Sequence, residues 1–148
     1  MIISQTLEYA LRAVVFIANG QERSYTTAQI AKTTKVPQAY LSKVLQSLVR
    51  GNIIQSQRGF GGGFILAKNA NEIKILDIVA AVDPMERIHT CPLELATHGT
   101  NLCSLHKRLD DAIATMQTTF SGTSITQIVS QENAILPMFE CPKLEDVS

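Results

Sequence analysis

The first 68 residues of this chain are nearly without acid: they hold eight Lys and Arg against two Asp and Glu, whereas residues 69–148 hold five against eleven. A formal net charge of zero therefore hides halves of +6 and −6. The split concentrates any nucleic-acid footprint in the first half. No apolar run approaches the roughly 20 residues that span a bilayer, which argues against a membrane helix. The opening Met1-Ile-Ile-Ser-Gln has no positive n-region of a secretory signal, and a cytoplasmic location is expected. Internal repeats and low-complexity runs are absent. Cysteine is scarce and odd in number, Cys91, Cys103 and Cys141, which argues against a disulfide framework and for thiolates kept for metal or redox work. With 148 residues, 45% of them hydrophobic, the chain suffices for one core-forming domain plus an extension.

The stretch from Thr26 to Phe64 is the most informative. Thr26 and Gln29 have the spacing of a capping box ahead of Ile30 and Ala31, predicting a short helix that ends near Thr33 to Lys35. Pro37 opens a second helix in which Leu41, Val44, Leu45 and Leu48 repeat at i, i+3, i+4, i+7, and Gly51 stops it. Away from that stripe it carries Gln38, Ser42, Lys43 and Gln46, donors and acceptors suited to base edges. This is the pattern of a helix-turn-helix. Two short apolar runs follow, Ile53-Ile54 and Phe64 to Ala67, around Arg58-Gly-Phe-Gly-Gly-Gly63, as a β-hairpin wing requires. The same glycines could belong to a dinucleotide fingerprint, but that motif must open a helix, and Phe64 to Ala67 reads as strand. Arg58 at the tip is placed to enter a minor groove or clasp phosphates.

These residues carry a resemblance. Pro37-Gln-Ala-Tyr-Leu41, Leu45, Leu48, Gly51 and Ser56-Gln-Arg-Gly-Phe-Gly-Gly-Gly-Phe-Ile-Leu-Ala67 are similar to the winged-helix signature of the Rrf-type family of bacterial regulators. The likeness covers about residues 1–130, the wing being its most specific part. That family includes iron–sulfur, nitric-oxide and cysteine-metabolism regulators. The resemblance implies a dimeric transcription factor on double-stranded DNA with a near-palindromic operator, often controlled by a bound cluster. The candidate DNA-binding residues are Gln38, Tyr40, Ser42, Lys43, Gln46, Arg58, Gly59 and Gly61.

Around this device the pattern is helical. Ser4 can cap a first helix with Leu7, Ala10, Leu11, Val14, Ile17 and Ala18 on one face, closed by Gly20. Glu8 in its second turn suits the helix N-terminus. Ile75, Leu76, Val79 and Val82 mark a short helix stopped at Pro84. Met85 to Leu102 reads as a loop, after which Leu105, Leu109, Ala112, Met116 and Phe120 form a seam on a long helix ended by Gly122. The seam serves an internal core or a helical pair equally well; the resemblance assigns it to a dimer. Ile125, Ile128 and Val129 predict a last short helix, and Pro137 and Pro142 a frayed tail. The expected fold is thus mainly α: a winged helix-turn-helix, three helices plus a β-hairpin wing, with a long C-terminal dimerisation helix. The expected division is a DNA-binding domain at 1–83, a cluster or metal loop at 84–106, the dimerisation helix and its short follower at 102–130, and a tail at 131–148.

All three histidines of the chain fall in or beside that loop: Cys91-x6-His98-x4-Cys103-x2-His106, with His89 just upstream. Thiolates and imidazoles so concentrated suit zinc or an iron–sulfur cluster. Catalysis is not expected, because Cys103 and His106 lack an evident orienting group or oxyanion donors. By resemblance, Cys91, Cys103 and His106 match the first cysteine, the last cysteine and the histidine of the cluster-bearing relatives. The middle cysteine, due near Thr97, is missing, and His98, Cys141 or a partner subunit's Glu8 is the candidate fourth ligand. The resemblance favours a [2Fe-2S] cluster; zinc, or no cofactor with control by a small molecule or partner protein, is the alternative.

Overall fold

A computed structural model describes residues 3–20, 22–99 and 101–130. The expected tail at 131–148, and Cys141 with it, lies outside the described residues.

Helix α1 (Gln5–Asn19) begins where Ser4 Oγ accepts the Leu7 N–H at 3.2 Å, and ends at Gly20, whose N–H reaches the Ile17 carbonyl. Its buried face, Leu7, Ala10, Ala13, Val14 and Ile17, makes it the central element, touching α2, α3, α4, α6 and β2. Helix α2 (Thr27–Thr34) starts with the capping box: the Thr26 N–H donates to Gln29 Oε1 at 2.9 Å, and the Gln29 N–H to Thr26 Oγ1 at 3.2 Å. Two otherwise orphaned donors are thereby satisfied. Lys35 ends it in a left-handed conformation, φ 57°. Pro37 then caps α3 (Gln38–Arg50), in which Leu41, Val44, Leu45 and Leu48 are all buried against α1 and α2.

The wing is an antiparallel pair, β1 (Ile54–Gln57) and β2 (Gly63–Leu66), in register Ile54 to Leu66 and Gln57 to Gly63. The expected strands are shifted by a residue, since Ile53 is core and only its carbonyl meets the sheet, accepting the Ala67 N–H at 3.0 Å. Gly59 and Gly61 turn the chain with φ 96° and 75°, values that favour glycine. Because the glycine cluster leads into a strand and no helix, the dinucleotide reading is excluded. The hairpin is also fastened to the body. Tyr25 and Phe64 exchange backbone hydrogen bonds of 3.1 and 2.8 Å, and the Ser24 hydroxyl donates to the Gly61 carbonyl.

Beyond the wing come α4 (Ile75–Val82), the irregular stretch 83–103, α5 (Ser104–Gly122) and α6 (Ile125–Val129). A backbone bridge between Lys74 and Ser124 folds α6 back, and Ile125 enters the core beside Ile73 and Ile78. Helix α5 differs from the rest: of its 19 residues only Asp110 is buried. Its seam is divided. Phe120 packs on the core, whereas Leu105 and Leu109 are exposed by 62% and 48%.

Candidate nucleic-acid interface and cysteine loop

On α3, Gln38, Lys43 and Gln46 are exposed and Ser42 is half-buried, its hydroxyl donating to the Gln38 carbonyl at 3.1 Å. Tyr40 is placed differently. Its hydroxyl is hydrogen-bonded to Thr6 Oγ1 and its ring meets Tyr9 edge-on at 5.5 Å, so it also holds α3 to α1. Arg50 was not among the sequence candidates, although it lies seven residues after Lys43 and four after Gln46, on the same outward side. At the wing, Arg58 and Gly59 are exposed, and Gly61 joins them at the tip.

The electrostatics follow from what is missing. No Asp or Glu occurs between Glu22 and Glu72, a span that contains α2, α3 and the wing. Among the described residues the ion pairs are Glu8 with Arg12, Arg87 with Asp110 and Lys107 with Asp111, and none involves Lys43, Arg50 or Arg58. Cations without carboxylate partners on an exposed helix and hairpin suit phosphate oxygens.

Glu8 is buried, and Arg12 Nε donates to its Oε1 at 2.8 Å while Arg12 Nη1 reaches the Thr34 carbonyl at 3.2 Å. The carboxylate therefore supports the α1–α2 junction within its own chain. An open cavity of about 590 Å³, bounded by Ile17, Arg23, Gln57, Ile65 and Lys68, lies between α1 and the wing.

The loop at 84–103 is tied to α5 near its beginning. Arg87 Nε and Nη2 both donate to Asp110 at 2.6 Å, and the Ile88 N–H donates to Asp110 Oδ1 at 2.9 Å. Gln117 Nε2 adds a bond to the Met85 carbonyl at 2.7 Å. Chiefly through the Arg87 hydrogen bonds, then through the Ile88 N–H, and against burial, the Asp110 carboxyl is held down at about 2, where 3.8 is ordinary. A lowered carboxyl stabilises the fold fully above its unfolded value and ceases to as pH falls through its folded value. Asp110→Asn is accordingly expected to melt below the wild type near neutral pH. The gap should narrow below about 3.8 and close at about 2, as melting temperatures across an acid series will show.

The candidate ligands form two pairs. Cys103 precedes α5 as its N-terminal cap residue, with Sγ 3.2 Å from His106 Nδ1 one turn on. Cys91 is buried within tight turns of the loop. Its thiol is held below the usual range by the Leu95 N–H first, then the His98 side chain and the Leu93 N–H, with burial opposing. Among the described residues the His98 Nδ1 atom is buried without a hydrogen-bond partner, so the imidazole that lowers the Cys91 thiol keeps this nitrogen unused. A low thiol beside an unsatisfied imidazole nitrogen is the donor chemistry that thiolate- and imidazole-ligated metals take. Among the described residues, no three Cys, His, Asp or Glu side chains converge as a metal site; the arrangement brings Cys91 to His98 and Cys103 to His106, and leaves His89 and Glu8 apart.

A mainly helical chain with a two-stranded antiparallel hairpin after a helix-turn-helix defines the winged-helix class of transcriptional regulators. Among the solved structures that share this fold are CymR, the global cysteine regulator of B. subtilis (TM-score 0.70, 22% identity, 90% of this chain and 99% of that one), and T. potens IscR (TM-score 0.72, 16% identity, 90% and 94%). The profile of the Rrf2 family, described as iron-dependent transcriptional regulator, matches residues 3–131. The chain belongs to the Rrf2 family of transcriptional regulators. It is 30% identical over 142 residues to an Aquifex aeolicus protein named as an HTH-type transcriptional regulator, covering 93% of this chain and 99% of the relative. With IscR of Pectobacterium atrosepticum it shares 26% over 128 residues, 86% and 78% of the two chains. No described helix is long and apolar enough to cross a membrane.

Proposed function

We propose that this chain is a cytoplasmic homodimer that binds a near-palindromic operator, with α3 in the major groove and the wing beside it, and that the cysteine–histidine loop sets its DNA affinity. The observation that carries the DNA reading is the acid-free span around Lys43, Gln46, Arg50 and Arg58. Residues 1–83 form the reading head, 84–106 the sensor and 102–130 the dimerising segment. The outward Leu105 and Leu109 of α5 support pairing with a second copy, whose equivalent seam has the same need to be covered. No part of this reading calls for catalysis.

The iron-dependent description of the family, IscR among the relatives, and the unsatisfied His98 nitrogen beside a lowered Cys91 thiol support a [2Fe-2S] cluster held by Cys91, Cys103 and His106. The fourth ligand is His98, Glu8 or Cys141, and for Glu8 the ion pair with Arg12 would have to open first. Such a cluster supplies one-electron redox chemistry, its potential raised where imidazole replaces thiolate. The protein's part is to lower the Cys91 thiol and bury it, and to join the loop to α5 through Cys103 and Asp110. The presence of two cysteine–histidine pairs also favours a second reading, tetrahedral zinc on two thiolates and two imidazoles. If there is no cofactor, the cavity between α1 and the wing is where a small molecule would act.

Footprinting on an enriched operator tests the DNA reading. Protection should have dyad symmetry with half-sites spaced by whole turns, roughly 10 bp each. Lys43→Ala and Gln46→Ala should relax sequence choice, and Arg58→Ala should lower the salt slope by about one phosphate equivalent. Asymmetric footprints, or unchanged specificity in both α3 variants, would contradict the assignment.

A further inference from the structure

Phe60 is the most exposed large apolar side chain of the described residues, at 112% of its reference area, and it sits at the tip of the wing. An isolated surface apolar residue is ordinarily unremarkable. Its setting here is not ordinary. The ring is flanked by Gly59 and Gly61, beside which a Cβ would meet nothing within 4 Å, so the tip is slender as well as apolar. The turn beneath it is braced: the Gly62 N–H closes on the Gly59 carbonyl at 2.9 Å, Ser24 holds the Gly61 carbonyl, and Tyr25 holds Phe64. A large ring is thus presented outward on a narrow, fastened support, next to Arg58.

We propose that Phe60 is a wedge that enters the minor groove of double-stranded DNA and inserts partly between two base pairs, bending the duplex. This inference rests on the DNA-binding reading and adds a residue and an action to it. The ligand follows from the surroundings. A lone ring falls far short of the roughly 1,000 Å² that a stable protein interface needs. The acid-free span around it complements phosphates, and Arg58 beside it suits the negative potential of a narrow minor groove. Apolar wedges of this kind unstack one base step, and pyrimidine–purine steps give way most readily. Phe60 would therefore add a preference for TA or CA/TG steps flanking each half-site, at positions where α3 touches no base edge. Insertion stabilises through apolar contact and the gain from bending, so its removal should leave the salt dependence alone, unlike removal of Arg58.

The test uses the full-length protein and duplexes that the wild type enriches from a random-sequence pool. Bending is read by energy transfer between end labels, and unstacking by 2-aminopurine fluorescence at the flanking step. The expected result is a bend and a fluorescence rise with wild type, both lost in Phe60→Ala, with affinity reduced about tenfold and the salt slope unchanged. Phe60→Leu should restore part of both signals. Since the ring is fully exposed among the described residues, circular dichroism and melting temperature should match the wild type. If Phe60→Ala keeps the bend and the fluorescence, the wedge is overturned; affinity lost without either signal makes Phe60 a sugar contact and overturns insertion as well. A wild type that enriches no duplex removes the DNA reading itself, a failure distinct from these.

Discussion

Gly63→Ala is expected to weaken operator binding by at least tenfold while leaving helix content nearly intact. A Cβ at this position would stand 2.5 Å from the backbone carbon and oxygen of Tyr25, atoms that cannot rotate away as a side chain can. The strand would have to lift, and the paired hydrogen bonds between Tyr25 and Phe64 would open with it. Overpacking of this kind costs about 1–3 kcal/mol, here concentrated on the hairpin. Because β2 also leads Leu66 toward the core, a modest drop in melting temperature should accompany the loss. Fluorescence anisotropy with the enriched duplex measures the binding, and far-ultraviolet circular dichroism the helices. Gly61→Ala, strained by its φ of 75° but open in space, should lose much less. Equal affinity of Gly63→Ala and wild type would mean that the wing's attachment to Tyr25 has no part in binding.

On the proposed cluster reading, Cys91→Ala and Cys103→Ala should each abolish cofactor binding and give one common DNA affinity, that of the apo protein. Anaerobic purification followed by an absorption spectrum and iron, sulfide and zinc analysis reads the first effect; operator titration reads the second. The coupling is a difference between two affinities, and a tenfold difference corresponds to about 1.4 kcal/mol. The companion variants separate the fourth ligands: His98→Ala, Cys141→Ala or Glu8→Ala should match the cysteine variants only where that residue ligates. Zinc without iron in the wild type would select the tetrahedral reading. Wild-type spectra and affinities in both cysteine variants would transfer control to the cavity between α1 and the wing.

How much of this was legible beforehand depended on the range of the interactions. The Thr26–Gln29 box, the Leu41, Val44, Leu45 and Leu48 stripe, the Gly20 and Gly51 stops and the glycine turn are each decided within a few residues, and each is where its spacing placed it. The Arg87–Asp110 clamp joins residues 23 apart, and the Lys74–Ser124 bridge joins still more distant ones; no periodicity announces either. The cysteine loop was legible as chemistry and in part as geometry: the three-residue spacing of Cys103 and His106 puts them on one side of a helix start, whereas the approach of His98 to Cys91 depends on the turns of an irregular loop and has no such signal. The seam of α5 was ambiguous for a physical reason that the fold makes plain: one end, Phe120, belongs to the core and the other, Leu105 and Leu109, faces outward. Arg50 was within reach of helical spacing. Phe60 was hidden by the glycines around it, which drew attention to the turn and away from its apex.

Helix α5, with Asp110 alone buried among its 19 residues, has a consequence for how the molecule breathes. Opening free energies within a protein rise with the apolar contacts that must be broken, so backbone amides in different elements exchange with deuterium at widely different rates. Amides of α1, at the centre of the core, are expected to exchange only with global unfolding. Those of α5 in an isolated chain should open by fraying from the Ser104 end, with the Asp110 clamp and the Phe120 anchor marking where protection should begin to climb. A second copy seated on Leu105 and Leu109 would erase that gradient. The exchange profile along one helix thus becomes a concentration-dependent gauge of whether the chain is alone.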